Sequence, residues 1–156
     1  MVIFINGSMN SGKTTVGKLL AKRIGYEFLD FDDISEAMAD FDLGKDLPKV
    51  IKTGIKQIND LVDDGKNVVA VFVVRRKDYE KLIAEVNDEI RFVTLAPRLE
   101  VAITNRGNRD LSNWHKERVK YHYKTGIANP DFGIIIDNSS TTPARTAEII
   151  CKKLEH

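Results

Sequence analysis

The stretch Gly7-Ser8-Met9-Asn10-Ser11-Gly12-Lys13-Thr14 fits the pattern G-x-x-x-x-G-K-[ST]. Each residue type in that pattern has a mechanical task. The glycines let the backbone approach an anion closely, so that successive N–H groups surround phosphate oxygens. A following helix adds its positive N-terminal end. Lys13 is then placed to reach the β and γ phosphates of a nucleotide, and the Thr14 hydroxyl to ligate Mg²⁺. Gly7, Ser8, Asn10, Ser11, Gly12, Lys13, Thr14 and Thr15 are therefore the candidate contacts to a nucleotide. An ordinary glycine-rich turn would use the same glycines, but this one runs from an apolar strand pattern into a helix pattern, the context that phosphate binding requires.

A second group of chemistry-bearing residues follows about fifteen positions on. The segment EFLD ends in Asp30-Phe31-Asp32-Asp33. In an α/β layout that end lies beside the phosphate loop, where carboxylates serve a metal or an acceptor hydroxyl. The bland reading is a solvated turn in which Asp33 or Ser35 caps a helix starting at Ile34. Motor-type ATPases end a later strand in an acid placed on their metal, but VVAVFVV runs instead into Arg75-Arg76. Those two arginines suit an anionic or hydroxyl-rich acceptor, or else merely end a strand in solvent. The D-x-x-G and N-K-x-D signatures of GTPases are missing from the sequence.

The elements that must position these groups can be read from periodicity. VIFI (2–5), EFLD (27–30), VVAVFVV (68–74), IRFVTL (90–95) and FGIII (132–136) are short apolar runs, as expected of parallel strands buried on both faces. Helical spacing of apolar residues covers 13–24 and 48–63, and further helices are expected near 77–86, 98–106, 114–124 and 143–153. Pro48 and Pro143 suit a first helical turn, and Thr142 suits a cap. Strand and helix alternate, which predicts an α/β sandwich with ligands gathered at the carboxyl ends of the strands. The least periodic stretches, 37–47 and 106–113, are the expected flaps.

Composition narrows the partners. The 156 residues suit one domain, and 24 Lys+Arg against 23 Asp+Glu give a formal charge of +1. No basic field argues for nucleic acid. Cys151 is the only cysteine, so no internal disulfide forms, and a reduced, cytoplasmic setting is the simplest expectation. The start MVIFING does not read as a signal peptide, and no stretch reaches the ~18 apolar residues of a spanning helix, so no membrane association is expected. The terminal LEH resembles the beginning of an affinity tag, so residues 154–156 are set aside from a single domain over 1–153.

Taken together, the phosphate loop, the D-x-D, the arginines after strand three and a further arginine-bearing segment after strand four resemble the small P-loop kinases of the adenylate kinase and shikimate kinase group. That group includes chloramphenicol phosphotransferase-like and gluconate kinase-like members. The resemblance implies a three-layer α/β sandwich, with a five-stranded parallel sheet in the order 2-3-1-4-5 flanked by helices. Its core would be 1–33, 66–105 and 125–153, with acceptor-binding helices at 34–65 and a lid at 106–124. It also implies roles. Asp30 and Asp32 match the acid that arranges Mg²⁺ or orients the acceptor, with Asp32 and Thr14 as metal ligands. Arg106 matches the lid arginine that stacks on adenine, and Arg109 the one that approaches the phosphates. Arg118, in ERVKYHYKTG, matches a second phosphate clamp, and the loop at Thr142 and Pro143 borders the adenine. Arg75 and Arg76 fall on the acceptor side. Such a lid excludes water, which otherwise turns a kinase into an ATPase.

The expected activity is transfer of the γ-phosphoryl group of Mg-ATP to a hydroxyl of a small molecule, by a monomer or homodimer. A nucleotide-binding module or slow ATPase with a regulatory role is the alternative. Shikimate kinases should show a glycine triplet near strand three and an arginine-rich substrate motif after strand two. VVAVFVVRRKDY has no triplet and residues 34–62 have no arginine, so shikimate is not the expected acceptor. His115 and His122 are expected on the surface, Trp114 and Tyr121 are expected to pack their helix, and Cys151 is expected to be a small apolar helix residue.

Overall fold

The computed structural model describes residues 1–104 and 110–155. Strand β1 (Val2–Gly7) leads into helix α1 (Lys13–Ile24), followed by β2 (Glu27–Asp30), α2 (Phe31–Glu36) and α3 (Leu47–Asp63). Then come β3 (Val68–Val71), α4 (Arg76–Glu85), β4 (Ile90–Leu95) and α5 (Leu99–Ala102). The chain closes with α6 (Asn113–Lys124), β5 (Ile134–Ile136) and α7 (Pro143–Leu154). The strands form one parallel sheet in the order β2-β3-β1-β4-β5, as expected. Registers such as Phe4 against Ala70 and Phe92 align the carboxyl ends of the three central strands.

Because side chains alternate across a strand, the central strands feed two cores. Val2, Phe4, Val68, Ala70 and Phe92 face α2, α3 and α4, meeting Phe31, Val50, Ile58 and Leu82. Ile3, Ile5, Val69, Val71, Val93 and Leu95 face α1 and α7, meeting Val16, Leu20, Ala147 and Ile150. The first core is aromatic: Phe31 meets Phe4 edge-on at 5.3 Å and Phe72 at 5.7 Å. Phe31 directly follows Asp30, so burying the ring fixes where the carboxylate emerges. Leu154, set aside in the sequence, continues α7 and packs against the second core.

Two expectations about elements change. The outer strands are not buried on both faces: β2 has exposed and half-buried positions, and Ile135 of β5 is exposed. They are the sheet's edges, covered on fewer sides than β1. The helix expected over 98–106 is only Leu99–Ala102. Just beyond it, the amide of Asn10 donates to the carbonyls of Ala102 and Thr104, at 2.8 and 2.9 Å. A continuing helix would need those acceptors for its own backbone. Residues 37–47 are largely irregular, as expected, and residues 106–109 of the other expected flap lie outside the described residues.

Candidate active site

At the carboxyl end of β1 the chain turns through residues 8–12 into α1. A Cβ at Gly7 would come within 2.7 Å of the Leu95 carbonyl oxygen, so only glycine fits. Gly12 has φ 96° and Asn10 φ 63°, left-handed values that glycine and asparagine tolerate. Helix α1 starts on Gly12 with no side-chain cap. Its first N–H groups therefore face the loop without intrahelical acceptors, the arrangement that binds an anion.

Lys13 is buried, and its ammonium donates to the Ser8 carbonyl at 2.7 Å across the loop. Thr14 Oγ1 donates to Asp30 Oδ2 at 2.7 Å, while Asp30 Oδ1 accepts from the Asp32 N–H at 2.9 Å. Asp30 is thus the N-cap of α2 as well as the partner of the loop's hydroxyl. The cap expected from Asp33 or Ser35 is supplied by Asp30, because α2 begins at Phe31 rather than Ile34. Asp32 is exposed one residue further on.

Three consecutive loop residues are each held by a different element. The Met9 N–H donates to His122 Nδ1 of α6 at 3.1 Å. Asn10 reaches the end of α5, and the Ser11 carbonyl accepts from Asn138 Nδ2, just after β5, at 2.9 Å. Below them Asn6, fully buried, accepts from Val74 N–H at 2.8 Å and donates to Thr94 Oγ1 at 3.1 Å and to the Ile127 carbonyl at 3.3 Å. It ties the ends of three strands' connections together. Neither Asn6 nor Asn138 stood out in the sequence, since asparagine is ordinary in loops; an apolar strand closing on a polar Asn6 was the available signal.

His122 is the clear correction. It is only 3 % exposed rather than on the surface. Burial first, then the positive charges of Lys13 and Arg118, hold its pKa down at about 4. The same interaction places Arg118 on the face of α6 turned toward the loop; its guanidinium lies 4.9 Å from the Tyr121 ring. Trp114 and Tyr121 are exposed rather than packed. They sit on a helix with few apolar positions, whose buried residues are Val119 and His122. His115 caps the start of α6 through Ser112.

The remaining expected residues divide. Pro143 opens α7 after Thr142, whose hydroxyl accepts from Arg145 N–H at 3.1 Å, as expected of a cap. Arg75 stands at the N-cap position of α4; buried Asp78 accepts its backbone N–H at 3.0 Å, and its guanidinium donates to both oxygens of Asp78, at 2.7 and 3.0 Å. Arg76 pairs with Glu80 and Asp131 and lies over the Tyr79 ring. Both arginines border a cleft of about 490 Å³ with Val74, Tyr121, Ile127 and Phe132, not residues 34–62. Arg106 and Arg109 lie outside the described residues.

The sequence model of the family described as "Shikimate kinase" matches residues 9–52, from the phosphate loop into α3. The chain is 27 % identical to the shikimate kinase of Thermodesulfovibrio yellowstonii, over 98 % of this chain and 94 % of that protein. The chain resembles the small P-loop kinases of the shikimate kinase-like group. Solved structures agree on the kinase's fold. The shikimate kinase of Acinetobacter baumannii, in complex with shikimate, superposes with a TM-score of 0.71 at 20 % identity, covering 99 % of this chain and 92 % of that one. A gluconokinase from Sinorhizobium meliloti gives 0.70 at 17 % identity, covering 99 % and 95 %. Among the described residues of this kinase no helix is long and apolar enough to cross a membrane.

Proposed function

We propose that this kinase transfers the γ-phosphoryl group of Mg-ATP to a hydroxyl of a small molecule. The observation that carries the reading is the Thr14–Asp30 hydrogen bond of 2.7 Å at the start of an uncapped helix, beside a buried lysine. That grouping suits phosphates plus a hard cation. Ser11 Oγ and Asn138 Oδ1 are also buried without a hydrogen-bond partner at the loop's edge, polar capacity that a bound nucleotide or its water fits.

The loop N–H groups and Lys13 hold the phosphates, and Thr14 and Asp32 hold Mg²⁺, with Asp30 orienting the Thr14 hydroxyl. Held by those residues, Mg²⁺ would supply positive charge to offset what builds on the phosphates. Asp32, exposed just after the end of β2, is the carboxylate assigned here to the acceptor's hydroxyl proton. Arg118 adds positive charge beside Lys13. On the family resemblance, Arg109 does the same and Arg106 stacks on adenine, with the loop before Pro143 bordering the base. The kinase acts in the cytoplasm, where Mg-ATP is abundant, as a monomer or homodimer, with no nucleic-acid partner; a net charge of +1 and a single cysteine support this.

The acceptor is uncharged or cationic. Residues 30–47 carry seven acids and one base, Lys45. Arg75 and Arg76, expected on this side, border a separate cleft and are committed to Asp78, Glu80 and Asp131. A carboxylate on the acceptor would meet repulsion there. A second reading, shikimate itself, is favoured by the full-length likeness to a shikimate kinase. ADP release measured with shikimate, gluconate, neutral polyols and amino sugars separates the two. Turnover by a neutral or amine-bearing acceptor supports the first, and selective turnover of shikimate the second. Release of ADP at one rate with every compound would overturn both.

A further inference from the structure

We propose that His122 is a positioning residue: its Nδ1 holds the Met9 N–H, and the phosphate loop's grip on a nucleotide depends on that bond. This rests on the kinase reading and concerns the same site. Met9 lies between Ser8, whose carbonyl is taken by Lys13, and Asn10, which is left-handed. The loop here bends sharply, so the direction of the Met9 N–H sets how residues 10–12 face inward. His122 is the acceptor for that N–H at 3.1 Å.

The bond also fixes the state of the ring. Nδ1 must offer a lone pair, so the proton sits on Nε2. Among the described residues, the charged groups acting on the imidazole are Lys13 of α1 and Arg118 of α6. A protonated ring would lose its acceptor and add a third cation to a buried place already holding two. Helix α6 therefore bears both on the phosphates, through Arg118, and on the loop that surrounds them, through His122. Asn10 and Asn138 hold the next two residues from other elements, so removing His122 frees one end of a three-point suspension.

Three substitutions separate position from bulk. In His122→Asn the side-chain oxygen can take the place of Nδ1; in His122→Gln the acceptor moves outward; His122→Leu has none. Binding of Mg²⁺ with the non-hydrolysable analogue AMP-PNP is measured by calorimetry. Roughly ten- to a hundredfold weaker binding is expected for Leu and Gln, from a buried N–H left unpaired, and near-parental binding for Asn. Hydrogen exchange of the Met9 amide follows the same order without nucleotide: protected in the parent and Asn variant, fast in Leu. Nitrogen NMR of the parent ring at pH 7 should show the Nε2–H form, a reading that requires no variant to fold. Equal binding by all four proteins, an unprotected Met9 amide in the parent, or a ring protonated on Nδ1 would each overturn the assignment. A parent that binds no AMP-PNP, yet protects Met9 through His122, would instead overturn the kinase reading and the claimed grip, leaving only the bond.

Discussion

The proposed donor side and the proposed acceptor side of this site are built differently. Around the phosphate loop the polar groups are buried and bonded to backbone: Lys13 to Ser8, His122 to Met9, Asn138 to Ser11, Asn6 to Val74 and Ile127. Around residues 30–47 and 75–76 the charges stand mostly at the surface and pair with one another: Lys49 with Asp46, Lys45 with Asp42, Arg76 with Glu80 and Asp131. Buried bonds to backbone tolerate little change, because an orphaned partner costs its whole desolvation. Surface pairs are worth little and are easily exchanged. One fold can thus keep its nucleotide and change its acceptor.

That contrast orders the expected effects of mutation. Lys13→Ala should lower phosphoryl transfer by about 10²–10³-fold or more, since in the proposed role it supplies charge to the transferred group; single-turnover ADP formation reads this. Asp30→Ala breaks both the Thr14 contact and the α2 cap. About 10–100-fold in activity and roughly 1 kcal/mol in stability should be lost, by kinetics and urea unfolding.

Acid should strike the donor side next. The folded-state pKa of His122, about 4, lies below the ordinary 6.5. Between those values the unfolded chain binds a proton that the folded chain refuses. Stability from this group is therefore full above pH 6.5 and lost as the pH falls toward 4. Unfolding midpoints across that window should drop in the parent and drop less in His122→Asn.

On the acceptor side, Asp78→Ala should cost about 1–2 kcal/mol through the lost α4 cap. Arg76→Ala, at an exposed pair, should leave the thermal midpoint unchanged and sit at the bottom of the series.

The same contrast governs what the sequence disclosed. Gly7 to Thr14 announces itself because phosphate binding needs particular residues at fixed spacing, while alternating strand and helix gave the α/β sandwich and the family resemblance its strand order. Asp30 was recognisable as an acid at a strand end, but its double bond to Thr14 and to α2 depends on the exact start of that helix. His122 was misplaced because a histidine among charged residues reads as surface; its burial follows from how α6 leans on the loop, a tertiary fact. Arg75 and Arg76 looked available for a ligand. Asp78, three residues on, takes Arg75, a spacing that a helix start at Arg76 makes possible.

The central claim is that the phosphoryl group leaves ATP for a hydroxyl and not for water. Phosphorus NMR of a turnover mixture with the best acceptor decides it directly. ADP should appear with an equal amount of one phosphate ester, and neither should form with Lys13→Ala. ADP accompanied only by inorganic phosphate, at a rate indifferent to the acceptor, would contradict the account.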